Sequence, residues 1–199
     1  GPIVYKMTVR EGVDQGFLAK PIVTMIEVES EADYWSRDSN ALTRVHLFYN
    51  PDVIMKAADI INRSISLLNR PVVVLIEELE QFVKLLPHLK HEARFAHGPV
   101  TKENADVLPK IYHKVDNQAL VRAFNAGEFP ILIGTSCIAT GVDITAVKHV
   151  VYLRGGASEI EVRQGAIGRG TRLVPGKVDF MVTDFDVVNI EALHRHAEI

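Results

Sequence analysis

Residues 130–153 read PILIGTSCIATGVDITAVKHVVYL. Two short runs of mostly branched apolar residues, Pro130–Gly134 and His149–Leu153, flank a stretch of small residues, hydroxyls and one acid. Each run has the length of a strand and little polar alternation, the pattern of strands buried on both faces in a parallel sheet. Outward from here the same texture recurs at Pro71–Ile76 (PVVVLI), briefly at Arg94–Ala96, and at Val178–Thr183 (VDFMVT). Helical patterns fill the gaps. Asn50-Pro51-Asp52 is a helix start, with Asn as cap and Pro in the first turn, and Ile54, Ala58, Ile61, Ile65 and Leu68 continue it along one face. Glu77–Leu86 reads as a helix stopped before Pro87, and Thr101–Gly127 as a helix broken near Pro109, with Val107, Leu108, Ile111, Val115, Leu120 and Phe124 on its apolar side. Ser158 and Glu161 have capping-box spacing, so a further helix is expected there. The fold class expected is α/β, a parallel sheet with helices on both faces.

The first 49 residues differ in texture. Thr8–Ala19 allows a short helix opening on Thr-x-x-Glu, Pro21–Val28 (PIVTMIEV) is an expected strand, and the polar stretch Ser30–Thr43 reads as a connection. The division expected is an N-terminal extension over 1–49 and one α/β domain over 50–199. Hydrophobic residues make up 47% of the 199 and charged ones 24%, as in an ordinary globular protein. No apolar run reaches the ~18 to 20 residues of a membrane span and no signal peptide opens the chain, so a soluble, cytoplasmic protein without a membrane partner is expected. The single cysteine, Cys137, excludes an intrachain disulfide or a Cys-x-x-Cys site and is expected to be a reduced core thiol. A net charge of −3 means that any nucleic-acid partner must be held by a local patch.

Arg163–Lys177, RQGAIGRGTRLVPGK, is such a patch: Arg163, Arg169, Arg172 and Lys177 with no acid among them. At ~100° per helical residue, Gly165, Gly168, Arg169 and Arg172 share one arc of about 100°. Gly165, Gly168 and Gly170 each cost a helix about 1 kcal/mol relative to Ala, and close backbone approach to a ligand is one reason to keep them. Permanently charged, bidentate arginine suits phosphate. The alternative is a solvated basic loop paired with surface carboxylates. In the opening stretch, Thr135 and Ser136 leave a strand at its carboxyl end, where parallel sheets bind ligands, and Asp143 follows Gly141 nearby. Hydroxyls there can bond phosphate oxygens and Asp143 a ribose hydroxyl, or the same residues can serve as helix caps and an Asx turn.

The order PVVVLI, Ala96-His97-Gly98, FNAGEF, ILIGTSCIATGVDI, HVVYLRGGAS, QGAIGRGTR resembles the second RecA-like domain of superfamily 2 helicases and translocases, from about Pro51 to Asp186. The opening residues and the phrase IGRGTRL are similar to phage-type DNA helicases and type I restriction translocases. The resemblance implies an RecA-like fold in which PVVVLI, GTSCIATGVD and QGAIGRGTR are motifs IV, V and VI. It implies that Arg169 and Arg172 are arginine fingers acting on ATP, with Gly141, Asp143, Gly168 and Gln164 at the nucleotide. It further implies that Thr135, Ser136, His97 and Gly98 contact the nucleic-acid backbone, with Thr135 at the motif V threonine and His97-Gly98 at a loop facing phosphate. One departure is clear: the family glutamine would fall at Gly165, whereas this chain has Gln164, about 100° away on a regular helix. No metal ligand set is expected in the chain, metal ligation being the less favoured role for His97; His88 and His91 are read as ordinary surface residues, and His194 and His196 sit near the chain end.

Neither a Gly-x4-Gly-Lys-Ser/Thr phosphate loop nor an Asp-Glu metal motif occurs in the 199 residues. The expectation is therefore half of an active site: the C-terminal motor domain of an ATP-dependent DNA helicase, a monomer inactive by itself as a fragment. ATP and Mg2+ would be bound mainly by its own N-terminal RecA-like domain, in a bacterial or phage-infected cell. Two rivals are a self-sufficient Rossmann-type enzyme, which lacks its Gly-x-Gly-x-x-Gly signature here, and a non-catalytic interaction module that kept the fold.

Overall fold

The computed structural model describes residues 8–102, 105–139, 143–155, 177 and 179–193. Six strands form one sheet: β1 (Lys20–Val28), β2 (Val72–Ile76), β3 (Ala93–Ala96), β4 (Ile131–Gly134), β5 (His149–Leu153) and β6 (Asp179–Val187). Their order is β1-β6-β5-β2-β4-β3 and every pairing is parallel. The apolar runs are strands because both faces are covered: all five residues of β2 and of β5 are buried. Alternate side chains then serve two cores. Val72, Val74, Ile76, Ile133, Val151 and Phe185 face one, and Val73, Leu75, Leu132, Val150, Tyr152 and Val182 face the other.

The first core is covered by α3 (Pro51–Leu68) and α4 (Leu79–Leu85). Asn50 caps α3 through its side chain to Asp52 N–H, with Pro51 in the first turn. Ile54, Ala58 and Ile61 of the expected stripe are buried, whereas Ile65 is half-buried and Leu68 exposed as the helix leaves the sheet. Asn69 ends it in the left-handed conformation, φ 49°. The second core is covered by α5 (Asn117–Asn125), through Val121 and Phe124, and by the short α6 (Ser136–Ala139), through Ile138. Near the chain start, α1 (Val9–Asp14) has its Thr8–Glu11 capping box.

Two segments differ from their sequence reading. Helix does not run from Thr101 to Gly127: the described residues have a 3-10 turn at Lys110–Tyr112, and α-helix starts at Asn117, where Asp116 accepts from Ala119 N–H at 3.0 Å. Carbonyls that a helix would use are taken by imidazoles, Leu108 by His113 Nε2 at 2.9 Å and Tyr112 by His97 Nε2 at 2.7 Å. The stretch Ser30–Thr43 is irregular only in part. Asp38 caps α2 (Ser39–Thr43), which widens into a π-helical turn over Arg44–Phe48 and buries Leu42, Leu47 and Phe48. Two smaller differences concern ends. Pro87 lies inside a 3-10 turn, Leu86–His88, that continues α4, and β6 runs four residues beyond Thr183 because β1 pairs along its whole length. The helix expected from Ser158 lies outside the described residues.

Candidate nucleic-acid interface

A parallel sheet presents all its strand exits on one edge, so loops after different strands meet there. β3 exits into His97-Gly98 and β4, its neighbour, into Thr135, whose N–H donates to Ala96 O at 3.3 Å. Gly134 makes the junction tight. A Cβ there would stand 2.3 Å from Ile138 Cδ1 and 3.1 Å from Ala96 O, so only glycine lets Ile138 fold α6 back over the strand end. Ser136 is the first residue of α6.

His97 is buried, at 4% exposure, and its polar atoms hold the loop. Its ring nitrogens lie 2.6 Å from Gly98 O and 2.7 Å from Tyr112 O. Asn117 grips its backbone from both sides, accepting from His97 N–H at 3.2 Å and donating to His97 O at 2.9 Å. Gly98 by contrast is exposed, and its N–H has no hydrogen bond among the described residues. Beside these exits opens a cleft of about 590 Å³, lined by His97, Gly98, His113, Lys114, Asp116 and Cys137 among others. Cys137 is a free thiol, half-buried, that packs against the second core and also lines the cleft.

Asp143 is exposed beyond β4, and Asn125 fixes its loop by donating to Asp143 O at 2.9 Å and accepting from Ala146 N–H at 3.1 Å. Gly141, Gln164, Gly168, Arg169 and Arg172 lie outside the described residues. Lys177, the end of the basic segment, is buried, with Nζ 5.7 Å from the centre of the Phe180 ring, and burial, then Lys148, lowers its pKa to about 8. No group of three His, Cys, Asp or Glu able to hold a metal occurs among the described residues. None of their helices is long and apolar enough to cross a membrane.

Sequence reasoning missed the residues that fasten this edge. Gln81, 3% exposed, accepts from the N–H groups of Glu77 and Glu78 at 2.8 Å each and donates to Leu153 O at 2.8 Å, tying the exit of β2 to that of β5. Arg154 reinforces the tie with Nε 2.6 Å from Glu77. Asn117 and Asn125 carry no local signal, because their partners are 18 to 21 residues away, whereas Glu78 and Gln81 stand at capping-box spacing, a local signal, and only the bond from Gln81 to Leu153, 72 residues away, is hidden.

The crystal structure of the C-terminal part of the Fun30 ATPase domain is similar, with 13% identity and a TM-score of 0.53 over 76% of this chain and 48% of that one. The Pyrococcus furiosus Hef helicase domain has 20% identity and a TM-score of 0.46 over 65% of this chain and 25% of that one. For the C-terminal domain of the DEAD-box protein Dbp5 the values are 17% and 0.47, over 89% and 81%. This chain thus spans about half the length of the Fun30 structure and a quarter of the Hef structure. No curated protein matches the sequence as a relative. The family model described as the helicase conserved C-terminal domain matches residues 69–173, more than half of the chain and a span that holds β2 to β5 with both exits of the cleft. By that match the chain belongs to the helicase conserved C-terminal domain family.

Proposed function

We propose that this chain is the C-terminal motor half of an ATP-dependent superfamily 2 DNA helicase or translocase. One observation supports the reading: in a chain of this family β3 and β4 are neighbours, so Thr135 stands beside the Ala96–His97 exit, and His97 and Gly98 line the adjoining cleft. Gly98 N–H and the hydroxyls of Thr135 and Ser136 hold phosphates of one DNA strand without reading sequence, and His97 shapes the loop that presents Gly98. Arg169 and Arg172 act as arginine fingers toward ATP, with Gly141, Asp143, Gly168 and Gln164 beside the nucleotide. The donor set fits one side of that nucleotide only: guanidinium groups for phosphate and the exposed Asp143 carboxylate for a hydroxyl, without a phosphate loop. ATP with Mg2+ supplies the phosphoryl chemistry when bound, and an N-terminal RecA-like domain holds most of it. In this reading the motor domain begins at residue 50 after an N-terminal extension, and the whole protein is kin to phage-type helicases and restriction translocases and acts in the cytoplasm.

The test is DNA-stimulated ATP turnover in the protein that joins this chain to an ATP-binding domain. Arg169→Ala or Arg172→Ala is expected to lower it by on the order of 10³ while DNA binding survives. Full turnover in the double variant would overturn the reading, as would turnover by this chain alone that Arg169→Ala abolishes.

A further inference from the structure

We infer that the turn leading into α5, residues 108–116, is a second wall of the nucleic-acid cleft and that Lys114 is its phosphate contact. The inference rests on the reading of the cleft as a nucleic-acid site. Most polar groups on the strand-exit side are backbone or hydroxyl, neutral donors that orient a phosphate but do not neutralise it. In a chain of net charge −3 some cation must do so, and among the described residues Lys114 is the one Lys or Arg in the cleft lining. It is exposed and has no ion pair among the described residues.

The wall that carries it is fixed to the sheet. Leu108 is buried in the first core, and the Tyr112 ring meets Phe82 edge-on, centroids 5.0 Å apart, with Phe82 stacked on Phe95 at 4.2 Å. The imidazoles of His97 and His113 bind the carbonyls of Tyr112 and Leu108 and close the turn on the β3 exit. Lys114 follows at the lip. The acid on the same wall, Asp116, caps α5 through Ala119 N–H and sits on the positive end of that helix, which offsets its charge toward the cleft.

A phosphate contact of this kind releases about one condensed counterion, so it is read from salt dependence. Binding of a labelled oligothymidylate to this chain is followed by fluorescence anisotropy between 50 and 200 mM salt. Lys114→Ala is expected to make the slope of log K on log salt shallower by about 0.7, so that the wild-type advantage shrinks about threefold across that range, and Lys114→Arg to restore it. The melting temperature reports that each variant is folded. An unchanged slope in Lys114→Ala overturns the inference, and so does absence of wild-type binding at 50 mM salt. Thr135→Val separates the two claims: it removes a neutral partner, so affinity falls with the slope intact. If Thr135→Val binds normally while Lys114→Ala still changes the slope, the strand-exit reading fails and the assignment of Lys114 stands.

Discussion

Acidification from pH 7 to 5 should weaken the fold through one side chain, His149. It is 1% exposed at the start of β5, with Nδ1 2.9 Å from Ser64 Oγ and Nε2 2.9 Å from Thr183 Oγ1. Burial, then the positive charge of Arg70, lowers its pKa from 6.5 to about 4. The folded state thus binds this proton less readily than the unfolded chain does. Its full stability is present above pH 6.5, falls as pH drops through the window from 6.5 to 4, and is lost below it, a total on the order of 3 kcal/mol. From pH 7 to 5 the loss is roughly 2 kcal/mol by the same linkage. Urea midpoints at the two pH values, in wild type and in His149→Gln, isolate it, because carboxylates common to both cancel and glutamine bonds both hydroxyls without titrating. Wild type should lose roughly 2 kcal/mol more than the variant on acidification. Equal losses in the two proteins would refute the argument.

Two further outcomes follow from the carboxyl edge. Gly134→Ala should destabilise by about 1–3 kcal/mol in a urea titration, since the new methyl meets Ile138, and Ile138→Val in the same chain should recover part of it; a neutral Gly134→Ala would contradict the close approach. Gln81→Leu fills similar space but leaves two N–H groups and the Leu153 carbonyl without their partner, so a loss of about 1–3 kcal/mol or more is expected by thermal or urea unfolding, and a stability within 0.5 kcal/mol, roughly that of a surface change, would show that water replaces the tie.

Strands were legible where apolar runs are short and branched, as in β2, β4 and β5, because burial on both faces leaves little freedom of composition. The start of α3 was legible because its cap and proline are adjacent in sequence. Residues 101–127 were misread because Val107, Leu108, Ile111, Val115, Leu120 and Phe124 fit one helical face by spacing, whereas the fold parts them: Leu108 is buried in the first core, Phe124 in the second, and Ile111 is exposed. The turn of helix at Ser39–Phe48 was hidden by its polar first turn and by a change of helical period midway. At the strand exits, Thr135 could be singled out by its position after an apolar run and His97-Gly98 by the family resemblance, but not Asn117, since a side-chain amide has no spacing rule with a partner supplied by topology.

The edge strand β1 sets a condition on how the molecule is made. Its register pairs Lys20 with Asp179 and Val28 with Val187, a separation of 159 residues at every position, and among the described residues β6 is its one neighbour in the sheet. At ribosomal rates of roughly 5–20 residues per second, β1 waits about ten to thirty seconds for that partner to be synthesised. Throughout that interval nine residues that include Ile22, Val23, Met25 and Ile26 have their backbone groups unpaired. Contacts of such span form late and slowly, and waiting strands with apolar side chains are prone to pair with the wrong chain. A chain ended before Asp179 should keep β2, β3, β4 and β5 adjacent, yet carry β1 as an unmatched strand that drives aggregation; removing residues 1–28 from the same truncated chain should restore its solubility.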